Sequence, residues 1–313
     1  MSDWKSKALE LHKKGKSWRS IARKLGKSKS TVSDFLRKEI KGYVRPSEVT
    51  RLGKGNNILS GGENLNKRVK HLIIADTQVK PEADMTYLKA LSNYILEKRP
   101  DVIVHIGDHF DMESLSSYDR GKRSFEGRRV KADLEAGYSG MEALVSSFKG
   151  VSDYNPRMVF CLGNHEERID RFSNDHPELT GFLGTDMLNL EKFGWEVFPF
   201  LKPAEIDGIY YVHYLSNPFN GRPYGGNALN QLKTVGRSFV VGHKQCLDIA
   251  IRPTLDGKMQ LGIINGAFYP HFEEYKGYQN NNHFRGITVL HDVKDGYGDP
   301  MMVSLEYLMR EYG

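Results

Sequence analysis

Cysteine is scarce in this chain of 313 residues, which contains only Cys161 and Cys246. Two thiols cannot build the disulfide framework of a small secreted domain, so we expect a protein of a reducing, cytoplasmic compartment. Apolar runs long enough to cross a bilayer are also absent from the sequence, and the polar, basic N-terminus lacks the apolar segment typical of a signal peptide. The sequence therefore predicts neither a membrane partner nor secretion.

Hydrophobic residues make up 39% of the chain and aromatic residues 11%, a composition that suits a globular core. Positive charge is concentrated at one end. Residues 1–41 carry 13 Lys or Arg against four Asp or Glu, a local charge of +9 in a chain whose net charge is +6. The remainder is therefore weakly acidic, and the basic N-terminal segment is a candidate for binding a polyanion.

Residues 1–42 show three short apolar stripes at helical spacing, separated by glycine or serine. Ala22, Gly26 and Val32 have the spacing of a helix-turn-helix, and the segment resembles the DNA-binding domains of resolvases and repressors. The third helix would then present a set of polar and basic side chains to DNA: Lys29, Ser30, Thr31, Ser33 and Arg37. A basic three-helix unit used for protein contact is the alternative. A single copy reads few base pairs, so a homo-oligomer is possible.

Residues 43–68 have no sustained periodicity and contain Pro46 and several glycines, which indicates a linker. Residues 69–313 form the second predicted domain. Five apolar segments there are short enough to be buried strands, and each ends in polar residues. These residues are Asp76 with Gln78, Asp108 with Asp111, Asn164 with His165, His213, and His243 with Gln245. Such repetition at strand ends indicates a binuclear metal site at one edge of a sheet.

The ordered motifs Gly107-Asp108-x-x-Asp111, Gly163-Asn164-His165-Glu166 and Gly242-His243 resemble those of the calcineurin-like metallophosphoesterase superfamily. The resemblance implies an α/β fold, a two-sheet sandwich flanked by helices. It also implies a bridging ligand in Asp108, with Asn164, His213 and His243 completing one metal site and Asp76 holding the other. A metal-activated hydroxide would attack phosphorus, and His165, oriented by Asp111, would assist the leaving oxygen. Glu166 is interpreted as structural, at the start of a helix.

Two positions depart from the family pattern. Gln78 and Gln245 stand where the family usually has histidines, and both belong to the metal site of Asp76. Either amide oxygens serve as ligands there, or one ion is held tightly and the other weakly. Both possibilities favour Mn²⁺, with Mg²⁺ possible and zinc less favoured. An inactive scaffold is the third possibility. The paired glutamines also resemble those of bacteriophage phosphoesterases, which would place the protein in a host cytoplasm.

Basic residues between the motifs are candidate substrate contacts, with solvated loops as the alternative: Arg120, Arg123, Arg128 and Arg222. A basic helix-turn-helix tethered to a phosphodiesterase would concentrate DNA near the active site. Residues 107–120 also resemble the second motif of the superfamily's DNA-repair nucleases. We therefore expect a DNA-directed phosphodiesterase. The alternatives are a small-molecule phosphatase or cyclic-nucleotide phosphodiesterase, and a DNA-binding regulator with an inactive core.

Overall fold

The computed structural model describes residues 3–14, 18–39, 68–117, 121–272 and 282–313. The chain divides into two compact units, Met1–Asn66 and Lys67–Gly313. The predicted linker lies outside the described residues, apart from Arg68.

The first unit contains three helices, α1 (Asp3–Lys13), α2 (Trp18–Lys24) and α3 (Lys29–Glu39). Their apolar stripes form a small core in which Ala22 and Val32 are buried. Gly26, between α2 and α3, has a φ of +60°, a left-handed conformation that glycine adopts without steric cost. The Ser28 hydroxyl accepts a hydrogen bond from the Thr31 amide and so caps the start of α3.

The second unit contains a six-stranded sheet in the order β11-β10-β1-β2-β3-β4. The strands are β1 (His71–Ile74), β2 (Val102–His105), β3 (Arg157–Cys161), β4 (Glu196–Phe198), β10 (Gly286–Lys294) and β11 (Tyr297–Ser304). Strands β1 to β4 are parallel, whereas β10 and β11 are antiparallel to their neighbours. The loops that follow β1, β2 and β3 therefore leave the same edge of the sheet.

A second, five-stranded sheet has the order β5-β6-β7-β9-β8. Its strands are β5 (Ala204–Ile206), β6 (Ile209–Val212), β7 (Phe239–Val241), β8 (Asp248–Pro253) and β9 (Met259–Ile264). Strands β6, β7 and β9 are parallel, so the residues that follow β6 and β7 also share one edge. The five predicted strand ends are thus distributed over two sheets, three on the larger and two on the smaller.

Helices cover the outer face of each sheet in the second unit. Helices α4 (Thr86–Lys98), α5 (Val130–Val145) and α8 (Leu305–Tyr312) pack on the larger sheet, and α7 (Ala228–Val235) packs on the smaller one. The facing sides of the two sheets form a separate apolar layer, in which Val104 and Val159 share a cluster with Tyr211 and Val240. Strands β1 and β2 are buried on both faces, which explains their unbroken apolar sequences. The predicted α/β sandwich flanked by helices is confirmed.

Candidate metal centre

Four donor atoms from four different loops meet where the two sheets come together. The Oδ1 atom of Asn164 lies 2.9 Å from Nε2 of His213 and 2.7 Å from Nδ1 of His243. Nε2 of His213 lies 3.3 Å from Oδ2 of Asp108. Ligand atoms about 2.1 Å from one ion stand roughly 3 Å from each other, so this spacing fits the coordination shell of a single cation.

The protonation of His213 leaves a nitrogen directed at this cluster. Its Nδ1 lies 2.8 Å from the carbonyl oxygen of Ile106, which can only accept, so Nδ1 carries the proton of that bond. Nε2 is then free to hold either a cation or a second proton against Asp108 and Asn164. Such an arrangement is typical of a metal-binding histidine whose orientation is fixed by a backbone carbonyl.

Burial and charge set the protonation of the cluster. Burial acts to raise the pKa of Asp108, but His165 and His213 outweigh it and hold that pKa well below its usual range. Burial acts to lower the pKa of His213, yet the Asp108 carboxylate outweighs it and raises the pKa to about 9. Burial, together with the charge of His213, lowers the pKa of His243 to about 4. Asp108 is therefore anionic and His243 neutral near pH 7, as metal ligands must be.

Close backbone approach explains two of the motif glycines. A Cβ on Gly163 would lie 2.2 Å from Oδ1 of Asp108, and a Cβ on Gly242 would lie 2.6 Å from Oδ1 of Asp76. No other residue fits these positions without moving a carboxylate of the candidate site. The glycines therefore allow the loops to bring ligands from both sheets together.

The backbone at the candidate ligands is strained. Five of them adopt positive φ angles: Asp76 (43°), Gln78 (40°), Asp108 (55°), His243 (63°) and Gln245 (57°). Each such non-glycine conformation costs on the order of 1–3 kcal/mol, and residues of this kind cluster at functional sites. Strain at five candidate ligands supports the interpretation of these loops as a binding site.

Two buried oxygen atoms without partners show how the Asp76 side of the site fits a metal. Oδ2 of Asp76 and Oε1 of Gln78 are buried and have no hydrogen-bond partner among the described residues. A buried polar atom without a partner costs about 1–3 kcal/mol, which a bound cation would offset. Burial, reinforced by the charge of Asp108, raises the pKa of Asp76 to about 6. These oxygens fit a divalent ion that prefers oxygen ligands.

Gln245, the second glutamine at this site, is partly engaged elsewhere. Its Oε1 accepts a hydrogen bond of 2.9 Å from the Tyr269 hydroxyl, and both side chains are buried. The two glutamines are therefore not equivalent, because Gln78 offers an oxygen with no other partner and Gln245 offers one that is already shared.

The predicted pair of His165 and Asp111 is in contact. Nδ1 of His165 lies 2.7 Å from Oδ1 of Asp111. The sequence did not predict the third member, Arg168, whose Nη2 donates to Nε2 of His165 over 3.1 Å while Nη1 donates to the Asp111 carbonyl. Burial acts to lower the pKa of His165, but Asp108 outweighs it and the net pKa is raised. The imidazole is thus fixed from both sides, beside the cluster.

The Glu166 carboxylate is completely buried and accepts four backbone N–H groups. Its Oε1 accepts from His109 and Phe110 over 2.7 and 2.9 Å, and its Oε2 accepts from Asp108 and Gly163 over 2.9 and 2.8 Å. One side chain therefore connects the loop that carries Asp108 to the loop that carries Asn164. The structural interpretation of Glu166 understated this contribution to the shape of the site.

A buried hydrogen-bonded chain supports the loop between Asp76 and Gln78. The Thr77 hydroxyl lies 3.1 Å from Nε2 of His105 and 2.8 Å from Nδ1 of His109. The chain ends at the Gly137 carbonyl, which accepts from Nε2 of His109 over 3.0 Å. Burial lowers the pKa of both histidines, to about 4 for His109, so the chain is made of neutral imidazoles. The motif pattern left His109 unassigned. In the structure it supports the loop that carries the candidate ligands Asp76 and Gln78.

The predicted substrate-binding arginines have different environments. Arg128 is mostly buried, and its Nε lies 3.4 Å from a carboxylate oxygen of Glu113, so it is already paired. Arg123 and Arg222 are exposed, and Arg120 lies outside the described residues. The positive charge of these loops did not indicate in advance that Arg128 is paired with Glu113, whereas Arg123 and Arg222 are exposed.

The predicted DNA-contacting residues lie on α3 of the first unit. Lys29, Ser30 and Thr31 are exposed, whereas Ser33 is buried and its hydroxyl donates to the Ser30 carbonyl over 3.0 Å. The structure does not favour Ser33 as a contact residue, because its hydroxyl is used inside the helix. Arg37 belongs to α3, and its side chain lies outside the described residues.

A cleft of about 270 Å³ opens onto the candidate centre and was not predicted. Asn164 and His243 are part of its lining, together with Arg168, Arg171 and Tyr214. Helix α6 (Glu167–Asp175) carries both arginines. Their spacing of three residues could have predicted this from the sequence, since residues three apart share a helix face.

Among the described helices, none has both the length and the apolar character needed to cross a membrane.

This chain is similar in sequence to one protein family and to proteins of two bacteriophages. Residues 69–290 match the model of the calcineurin-like phosphoesterase family. The Gene 54 proteins of the mycobacteriophages L5 and D29 are 29% and 28% identical to this chain over 186 residues, which are 57% of this chain and 69% of each relative.

Two solved structures are similar to this chain at a low level. A dimetal phosphatase from Danio rerio is 10% identical with a TM-score of 0.35, and a predicted phosphoesterase from Streptococcus pneumoniae is 10% identical with a TM-score of 0.29. Each alignment covers 76% of this chain and 99% of the other. On the family match, the chain belongs to the calcineurin-like phosphoesterases and is a metal-dependent phosphoric ester hydrolase.

Proposed function

We propose that this phosphoesterase is a DNA-directed phosphodiesterase, that is, a nuclease. The observation that carries the proposal is the cleft beside the ligand cluster, where Arg168 and Arg171 add positive charge next to Asn164 and His243. A polyphosphate backbone needs cations on either side of the bond that is cut, and arginine suits phosphate because its donors are arranged as a fork. The basic first unit, with Lys29 exposed on α3, supports a DNA partner.

The residues that would hold divalent ions are Asp108, Asn164, His213 and His243 on one side, and Asp76 with Gln78 and Gln245 on the other. Ions bound there would supply Lewis-acid activation of water and neutralisation of charge on the phosphoryl oxygens. We further propose that Mn²⁺ is preferred, with Mg²⁺ accepted and zinc disfavoured, because the second side offers only oxygen ligands.

The protein's own residues position a proton beside that chemistry. His165 is held between Asp111 and Arg168, and we assign it to the leaving oxygen, either as proton donor or as hydrogen-bond donor. Its Nδ1 donates to Asp111 and its Nε2 accepts from Arg168 in this structure, so the ring is neutral and carries no proton on Nε2. Donation to the leaving oxygen requires Nε2 to take up a proton from solvent and Arg168 to turn its N–H toward a phosphate oxygen. Substrate binding and the release of His165 are thereby coupled.

The test is hydrolysis of single-stranded and duplex DNA by the purified protein with Mn²⁺, Mg²⁺ or Zn²⁺, alongside bis-p-nitrophenyl phosphate. Asp108→Asn and His165→Ala should lower the rate at least about 100-fold. Matched controls at exposed or half-exposed positions, Asp292→Asn and His291→Ala, should leave it unchanged. Turnover of bis-p-nitrophenyl phosphate with intact DNA would refute the nuclease and favour the small-molecule phosphodiesterase.

The metal preference has its own test, the double substitution Gln78→His and Gln245→His. Calorimetric titration should show zinc affinity rising relative to Mn²⁺, because two imidazoles replace two amide oxygens. An unchanged order of metal affinities would contradict the role given to the glutamines. A regulator with an inactive core predicts instead that Asp108→Asn changes no function whereas Lys29→Glu abolishes DNA binding.

A further inference from the structure

We infer that the cleft beside the metal centre binds one unpaired nucleotide of the substrate, with its base against Tyr214 and a neighbouring phosphate at Arg171. The inference rests on the proposed phosphodiesterase function and adds to it a preference for single-stranded DNA or DNA ends over continuous duplex.

The shape of the cleft limits what enters it. Its volume of about 270 Å³ lies just below the ~300–1,000 Å³ of pockets that enclose drug-sized ligands. We expect such a space to hold one nucleotide and to exclude a base-paired duplex. Enzymes that act on a nucleotide inside a small pocket take it from a single strand or pull it out of the helix at a cost of a few kcal/mol.

The lining of the cleft combines an aromatic ring with charged side chains. Tyr214 follows directly after the candidate ligand His213, and its half-exposed ring lies 4.8 Å from the His243 ring at an angle of 48°. Phe200 supports the Tyr214 ring from another direction, with 5.5 Å between the ring centroids. An aromatic ring held in this way is a surface on which a base of any identity can stack.

Helix α6 contributes two arginines and one carboxylate, Asp175, to the lining. Arg168 is fixed by the Asp111 carbonyl and by His165, whereas Arg171 is exposed and has no hydrogen bond or ion pair with any other described residue. Arg168 therefore serves the phosphate at the metal centre, and Arg171, one helical turn further along α6, is placed for the next phosphate. Pro223, which also lines the cleft, belongs to the segment after β6 that carries Tyr214.

The base contact is tested with two diesters that share a leaving group, thymidine 5′-(p-nitrophenyl phosphate) and methyl p-nitrophenyl phosphate. With Mn²⁺, the wild-type KM should be about 10-fold lower for the thymidine ester, which is the size of a base–aromatic stacking contribution. Tyr214→Leu should remove this difference through KM rather than kcat, and Tyr214→Phe should retain it. Calorimetry of Mn²⁺ binding checks that the substitutions leave the centre intact.

The phosphate contact is tested by adding a 3′-phosphate to the thymidine ester. That phosphate should lower KM about 3- to 5-fold in the wild type, a modest gain because Arg171 is exposed to solvent. Arg171→Ala should abolish the gain. Arg310→Ala, which removes an exposed arginine of α8 that does not line the cleft, should keep it.

Competition with unlabelled DNA tests strand preference in the unmodified protein. A single-stranded hexanucleotide should inhibit turnover of the thymidine ester, and a relaxed, covalently closed circular duplex, which has neither ends nor unpaired nucleotides, should not. Equal inhibition by both, or equal KM values for the two diesters in wild type and Tyr214→Leu, would overturn the nucleotide subsite while leaving the phosphodiesterase intact. If the wild type hydrolyses neither diester with Mn²⁺, the proposed function itself fails.

Discussion

Replacing Glu166 with glutamine should destabilise the protein and weaken its metal centre together. The buried carboxylate accepts four backbone N–H groups, two on each oxygen. A glutamine amide has one oxygen, so it can satisfy two of these donors and turns its own NH₂ group toward the other two. Each buried N–H left without an acceptor costs about 1–3 kcal/mol, which gives about 2–6 kcal/mol in total.

An opposing effect reduces this loss. Burial and the nearby charge of Asp108 raise the pKa of Glu166, so the ionised carboxylate is itself costly near pH 7 and a neutral amide avoids that cost. We therefore expect the free energy of unfolding of the metal-free protein to fall by about 3 kcal/mol. For a unit of this size, that corresponds to a fall in Tm of about 6–12 °C.

The assay is thermal unfolding in EDTA, followed by calorimetric titration with Mn²⁺. Glu167→Gln is the matched control, since Glu167 is adjacent, half-buried and outside the N–H cluster, and its Tm should move by no more than about 2 °C. Mn²⁺ affinity of Glu166→Gln should fall at least 10-fold, because in either orientation of the amide the loop that carries Asp108 loses an acceptor, at the Asp108 amide or at the His109 and Phe110 amides. A variant with wild-type Tm and wild-type Mn²⁺ affinity would refute this reasoning.

Three further outcomes are expected. Gly163→Ala should abolish Mn²⁺ binding in calorimetry, because the added methyl group would lie 2.2 Å from the Asp108 carboxylate; retained affinity would show that the loops can separate. Thr77→Val should lower the free energy of unfolding by about 2 kcal/mol in urea titration, since two buried imidazoles lose their common partner. Mn²⁺ should raise Tm more at pH 7.5 than at pH 5. At pH 5 the ion must displace protons from both Asp76, whose pKa is about 6, and His213, whose pKa is about 9. At pH 7.5 it must displace a proton from His213 alone. An equal Tm shift at both pH values would contradict this assignment.

Asp76 also makes the stability of the metal-free protein depend on pH. Its folded pKa of about 6 lies above the ordinary value of 3.8, so the folded state binds more protons than the unfolded state between about pH 4 and 6. Asp76 therefore reduces the stability of the metal-free protein as pH rises through that window. Bound cations reverse the effect, since they stabilise the carboxylate.

The amino-acid sequence determined the fold class, the order of the strand ends and the identity of the residues that meet there. A buried parallel strand can be predicted from a short apolar run in the sequence. A carboxylate or imidazole at the end of such a run can be identified without knowing which distant residues it contacts. Resemblance to a known family then ordered five such ends into one site. These residues were found because their signal lies within a few positions along the chain.

The tertiary structure decided what each side chain does once it arrives. Glu166 bonds amides 56 to 58 residues away, and backbone amides carry no signature in a sequence. The same is true of Arg128, whose pairing with Glu113 depends on a loop, and of Ser33, whose hydroxyl turns inward to its own helix. Packing also created the cleft between Arg171 and Tyr214, which lie in different segments. The sequence therefore identified the candidate ligands of the metal centre, whereas three-dimensional packing decided which charged side chains remain available to a substrate.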